Sequence, residues 1–223
     1  MKLIDLSFPI RDHWRWGYKQ SLKHTLEAGD DFRASVMTLP AHAFTHVDTL
    51  LHCKPGGAPA LDELPVDTYS GAAAVIDLSH IGADHEITAD DLKEHARDIR
   101  EGDIIILKTC WDKKRDIQSK EYWTDAPFVS EEAADWLYAQ KPKAVAFDFP
   151  QDQILKQAAT YKGCLPMSES TTHYALLLKG VFLIEYLAGL DQITEDRITF
   201  MALPLRLVGV EGCPVRAVAV KSL

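Results

Sequence analysis

His42-Ala-Phe-Thr-His46-Val-Asp48-Thr-Leu-Leu-His52 places three imidazoles and one carboxylate within eleven residues. Neutral imidazole and carboxylate are the donors that a borderline-soft divalent cation such as zinc or manganese takes. Chain geometry limits how they can converge. On a continuous helix His42 and His46 share a face, but Asp48 lies about 240° round from His42. In a straight strand all four share a face, yet His42 and Asp48 stand roughly 20 Å apart, against metal–ligand bonds of about 2.0–2.2 Å. One ion bound by His42, His46 and Asp48 therefore demands a chain that turns near residues 43–45. Pro40 and the Pro-Gly-Gly loop at 54–59 suit such an irregular course. His46 and Asp48, two residues apart, reach one ion from an extended segment.

A second source of donors is His173 and Glu185. Twelve residues apart, they would be separated by about 18 Å on one straight helix. The sequence instead predicts a helix over 169–178, stopped by Gly180, and a returning strand over 181–185. That path brings an imidazole next to a carboxylate at a strand's end, where α/β folds commonly build active sites. His13, His24, His80, His85 and His95 read as ordinary core or surface histidines. Glu169 and Asp148 read as helix-start and strand-end carboxylates.

The remaining pattern is that of an ordinary globular chain of 223 residues. A net charge of −9 with no stripe of Lys or Arg excludes nucleic acid and anionic membrane as main partners. The first residues lack the apolar core of a signal peptide, and no apolar run is long enough to span a bilayer, so a cytoplasmic location is expected. Cys53, Cys110, Cys164 and Cys213 show no CxxC pairing and read as thiols in a reducing compartment, with Cys53 beside His52 the one placed to oxidise or to lie near a metal. Strands are predicted at 2–6, 33–39, 72–78, 104–109, 144–147, 181–185, 198–207 and 215–220. Helices open at Thr88, running to about 99, and at Ser130, covering 131–140. Residues 10–17 read as a loop and 61–64 as a short helical turn. No linker divides the chain, which implies one α/β domain over residues 1–223.

These residues resemble a known family. The pattern His-x-Gly-Thr-His-x-Asp-x-Pro-x-His marks the cyclase-like metal hydrolases, which include bacterial kynurenine formamidase and isatin hydrolase. His42, Thr45, His46, Asp48 and His52 stand in register with it. The segments Asp5-Leu-Ser7, Leu61-Asp-Glu-Leu-Pro65, 102–109, 143–148 and Gly212-Cys-Pro-Val-Arg216 also look like family landmarks, so the likeness runs along nearly the whole chain. It implies a swivelling β/β/α domain, with a mixed sheet and flanking helices, that assembles as a homodimer or homotetramer. It implies that His42, His46 and Asp48 bind a first metal, that His173 and Glu185 match a second-metal pair with Asp48 bridging, and that His52 is the catalytic histidine. Two positions depart from the pattern. Phe44 replaces the glycine and is expected to project into or beside the pocket. Leu50 replaces the proline, so residues 49–51 are expected to be less rigid or differently routed.

The function implied is hydrolysis of a small amide, formamide or lactam, with a lactone as a variant. One or two divalent ions, zinc or manganese, would activate water and polarise the carbonyl. His52 would carry the proton from water to the leaving nitrogen. Trp14, Trp16 and Phe44 are the candidates for an aromatic wall around an aromatic or cyclic substrate. Two alternatives stand beside this reading. One is a single-metal manganese ring-opening hydrolase of the isatin or lactone type. The other is a metal-dependent protein that binds a small molecule without turning it over.

Overall fold

The computed structural model describes residues 2–54, 56–160 and 163–221. Pro55, in the loop expected at 54–59, lies outside them. The first part of the chain carries β1 (Lys2–Asp5), β2 (Lys19–His24), β3 (Ala34–Thr38), β4 (His46–Asp48) and β5 (Ser70–Asp77). Next come β6 (Glu86–Ile87), α1 (Ala89–His95), β7 (Ile104–Lys108), α2 (Trp111–Lys114), α3 (Glu121–Thr124), β8 (Phe128–Val129) and α4 (Glu131–Ala139). The last part holds β9 (Ala144–Phe147), α5 (Thr171–Ala175), β10 (Phe182–Glu185), β11 (Arg197–Pro204) and β12 (Gly212–Lys221). No helix among the described residues is long and apolar enough to cross a membrane.

The main sheet runs β1-β12-β11-β5-β7-β9-β10-β4, and β4 returns to pair with β12. Seven strands therefore close into a barrel, and β1 pairs with the far end of β12. β5, β7, β9 and β10 are parallel, while the other neighbours are antiparallel, giving the expected mixed α/β architecture. Strand alternation sorts the side chains into two layers. Inside the barrel, small residues such as Ala73, Ala144, Ala146 and Ala217 leave room for Val47, Ile184 and Phe200. Outside it, Ile105, Leu107, Val145 and Leu183 meet the residues of α1, α4 and α5.

Several helix ends follow the sequence. Thr88 caps α1 in a capping box with Asp91, and Ser130 caps α4. Gly180 adopts the left-handed conformation after the turn Leu177–Lys179. Others do not. α1 stops at His95, because Ala96 is extended. The helix expected over 169–178 is broken into two 3-10 turns, Met167–Glu169 and Leu177–Lys179, flanking α5. A tertiary contact sets its start: the Thr172 amide donates to Asp152, and Ser170 stays outside helical geometry. β3 fills the strand expected at 33–39, whereas its partner β2 and the closure of the barrel carry no clear sequence signal. Both rest on pairings that the hydrophobic period alone does not specify.

The turn demanded before His46 is present, and Phe44 makes it with a φ of 54°. A glycine would take that conformation freely, whereas a bulky residue pays about 1–2 kcal/mol. The ring offsets that strain by burial. It is fully buried, with its centroid 4.6 Å from Trp16 and 5.5 Å from His13. The expectation that Phe44 projects into or beside the pocket is thus corrected: the left-handed backbone turns the ring into the core. At the second departure, Leu50 opens a 3-10 turn, Leu50–His52, whose Leu51 amide is capped by the Thr49 hydroxyl.

Both Phe44→Ala and Phe44→Gly lose the buried ring, at about 3–5 kcal/mol. Glycine also relieves the strain, so it should be the less destabilising of the two by about 1 kcal/mol. Urea denaturation of the two variants checks that order, and a more stable alanine variant would contradict the strained turn.

Candidate metal centre

Strand register builds the first half of the site. β4 lies between β10 and β12, with His46 opposite Glu185 and Asp48 opposite Gly212. Val47 points into the barrel, so His46 and Asp48 point out of it, as does Glu185. His46 Nε2 stands 3.6 Å from Glu185 Oε2 and 3.4 Å from Asp48 Oδ1. The turn through Phe44 folds His42 back over this pair, bringing its Nδ1 to 2.6 Å from Asp48 Oδ1. Gly212 permits that approach. A Cβ there would come within 2.8 Å of both His42 Cε1 and the Val47 carbonyl. α5 adds His173, whose Nε2 is 3.5 Å from Glu185 Oε1 and 3.8 Å from Asp48 Oδ2. His52 completes the group, its ring 3.9 Å from that of His42 and 5.7 Å from that of His173. All six expected metal and catalytic residues therefore converge.

Each of three rings uses its other nitrogen on an oxygen. His46 Nδ1 donates to the Phe44 carbonyl at 2.8 Å, His173 Nδ1 to Asp152 at 2.6 Å, and His42 Nε2 to Glu211 at 3.2 Å. Such contacts fix the orientation of metal-binding imidazoles. Gln151 donates to Glu185, and the Tyr69 hydroxyl donates to the Asp48 carbonyl at 2.8 Å. Asp152, Gln151, Glu211 and Tyr69 escape sequence reasoning, since nothing local distinguishes them from ordinary polar residues. The Asp-Phe-Pro-Gln-Asp run after β9, at the end of a parallel strand, is the one signal that could have pointed to Gln151 and Asp152.

Burial alone would lower His42 and His173, but carboxylates override it. Hydrogen bonding to Asp48 lifts His42 to about 8, and Asp152 lifts His173 to about 10. Burial also works against the Asp48 charge, yet His46 and His42 hold that carboxyl well below its usual range. Glu185 is raised, by burial and then by the Asp48 charge. His52 presents an edge to the cavity, but the surrounding protein still desolvates the ring and pushes it down to about 4, helped by the charges on His42 and His173. Burial drives the Cys53 thiol up to about 12, which leaves it protonated and a poor ligand.

The donor set fits a divalent cation. Asp48 Oδ2 is buried and accepts no hydrogen bond among the described residues, a costly state that a cation would relieve. Two groups of donor atoms, His42–Asp48–His52 and His46–Asp48–Glu185, each lie within 4.8 Å of one another. They open on a cavity of about 310 Å³ whose other walls include Arg15, Leu155, Leu165 and Tyr186. The expected aromatic wall does not line this cavity. Trp16 is buried behind it, 5.5 Å from Tyr186, and Trp14 stands edge-on to Trp123 at 5.1 Å. Asp148 is no ligand either: it is fully buried and accepts from the Thr109 and Cys110 amides.

Metal binding should be linked to pH. Ligating imidazole must be neutral, and His42 and His173 are protonated at pH 7 given values of about 8 and about 10. Zinc binding should therefore release protons, and apparent affinity should rise as pH rises towards those values. Calorimetry in buffers of differing ionisation enthalpy measures the release, and its absence at pH 7 would contradict the arrangement. Asp152→Asn should weaken binding by about 10- to 100-fold.

A model of the family described as "Putative cyclase" matches residues 4–151, which include His42, His46, Asp48 and His52. The kynurenine formamidase of Salinibacter ruber is 27% identical over 232 residues, covering 98% of this chain and 97% of that protein. A solved structure described as a predicted metal-dependent hydrolase from Bacillus stearothermophilus is 27% identical, with a TM-score of 0.71 over 98% of this chain and 97% of its own. Isatin hydrolase A from Labrenzia aggregata shares the fold, with a TM-score of 0.76 at 23% identity over 98% of this chain and 93% of its own. With the matched segment carrying the histidine–aspartate centre itself, the chain belongs to the cyclase family of metal-dependent hydrolases.

Proposed function

We propose that this chain hydrolyses a small formamide, amide or lactam, with His52 moving the proton. It is a metal-dependent hydrolase of carbon–nitrogen bonds other than peptide bonds, and relatives named kynurenine formamidase support a formamide as the substrate. The observation that carries the finer reading is the placement of Asp48, whose Oδ1 faces His42 and His46 while its Oδ2 faces His173. It favours two ions over the single ion of a manganese ring-opening enzyme. With oxygen and nitrogen donors alone, zinc and manganese both suit the site. His42, His46, Asp48, His173 and Glu185 would hold the metal. When bound, a divalent cation supplies Lewis acidity, lowering the pKa of water and polarising a carbonyl oxygen.

The chain's own residues supply the rest. His52 accepts a proton from the attacking water. It returns that proton to the leaving nitrogen as the carbon–nitrogen bond breaks. The water oxygen ends on the carbonyl carbon, and the products are a carboxylic acid and an amine. Leu155, Leu165, Met167 and Tyr186 give the cavity apolar walls suited to a small aromatic or cyclic substrate. The same proposal takes the chain as one swivelling β/β/α domain that forms a homodimer or homotetramer in the cytoplasm.

A panel of formamides, lactams and lactones, assayed with zinc or manganese supplied, tests the reading. A chelator should abolish turnover, and added metal should restore it. His52→Ala should keep the metal content and lower kcat by about 10²- to 10⁴-fold. Loss of an ion together with the ring would make His52 a ligand, and unchanged turnover would remove it from the mechanism.

A further inference from the structure

Arg15 is the one lysine or arginine among the described residues that line the cavity, which otherwise carries Asp48, Asp152 and Glu185. Its guanidinium is half-buried and sits over the Trp123 ring, 5.8 Å from the centroid. Among the described residues that guanidinium makes no hydrogen bond or ion pair, and only the Arg15 backbone amide is engaged. Arg100, Arg115, Arg197 and Arg216, by contrast, each hold an aspartate. The three cavity carboxylates are already taken up by histidines and by Gln151.

The backbone under Arg15 is tightly fixed. His13 is buried; its Nε2 donates to the Ile117 carbonyl at 2.8 Å and its Nδ1 accepts from the Arg15 amide at 3.0 Å. Both contacts suit one neutral tautomer. Trp16 on the following side is locked between Phe44 and Trp123. A loop held this firmly presents a preorganised cation to the cavity. The guanidinium carbon lies 5.8 Å from the Trp123 ring centroid, and no described residue engages its N–H groups, the donors with which arginine grips a carboxylate through two parallel hydrogen bonds.

We propose that Arg15 is a specificity-determining residue that binds a carboxylate carried by the substrate. The substrate class is then a formamide or amide of an amine that also bears a carboxylate, with the scissile carbonyl at the histidine–aspartate end of the cavity and the carboxylate at Arg15. This rests on the hydrolase reading above and narrows it.

Formanilide and its 2-, 3- and 4-carboxylates, assayed with metal-loaded wild type, Arg15→Gln and Arg15→Lys, provide the test. Wild type should prefer one carboxylate over formanilide by about 10- to 100-fold in kcat/KM. Arg15→Gln should lower kcat/KM for the preferred carboxylate, through KM, by about 10- to 100-fold more than for formanilide, and Arg15→Lys should recover part of that difference. No preference in wild type, or equal losses on all four compounds, would overturn the proposal. Calorimetric binding of the three aminobenzoates and of aniline repeats the comparison without turnover. Aminobenzoate binding that Arg15→Gln abolishes, in a protein that turns over none of the formamides, would sink the hydrolase reading and keep the anion anchor. Aminobenzoate binding that is absent, or unchanged by Arg15→Gln, would sink the anchor.

Discussion

The arrangement depends on one buried carboxylate. Asp48 has no exposed surface; one oxygen is shared by His42 and His46, and the other lacks a donor among the described residues. Holding such a charge in the interior costs several kcal/mol unless cations and hydrogen bonds surround it. The fold meets that demand with the same strand that completes the barrel. β4 is paired on both sides, by β10 and β12, so closing the sheet and presenting His46 and Asp48 are a single structural event. Gly212 on β12 and Tyr69 beside β5 then support the same cluster, one by leaving room for His42, the other by holding the Asp48 carbonyl.

That dependence explains what could be read from the sequence and what could not. The donors of β4 were legible because they crowd into one short segment, and distance arithmetic alone required the turn that Phe44 makes. His173 and Glu185 were legible from Gly180, which turns a helix back into a strand. The strands at 104–109 and 144–147 follow from continuous apolar runs. Closure was not legible, because β4 is three residues long and its partners lie well over a hundred residues away. Asp152 was missed for the same reason: it lies near no other donor in sequence, yet it holds both the start of α5 and the His173 ring. Phe44 shows the opposite failure. Its identity suggested a pocket wall, but conformation decides where a side chain goes, and a left-handed backbone sends the ring inward.

Histidine protons and a divalent cation compete for the same oxygens. Asp48, Asp152, Glu185 and Glu211 concentrate negative charge around His42, His46 and His173. The direction of the shifts follows from that crowding, since carboxylates raise His42 and His173 against the pull of burial. Protonated imidazole can therefore balance the acids, so folding of the cage and loading of a cation are separable. His52 differs because burial, with the charges on His42 and His173, outweighs the pull of Asp48 and keeps it neutral. One cluster thereby holds two kinds of histidine, set apart by whether a hydrogen-bonded carboxylate overcomes the burial of the ring.

The strain at Phe44 connects this chemistry to the wall opposite. Its ring fills the space between Trp16 and His13, and those two residues hold the loop that carries Arg15. A glycine at residue 44 would make the same turn at lower cost but would remove one of the rings packed on Trp16. The bulky residue thus couples the histidine turn on one side of the cavity to the aromatic clamp on the other. The histidine turn and the loop that carries Arg15 therefore share one packing contact.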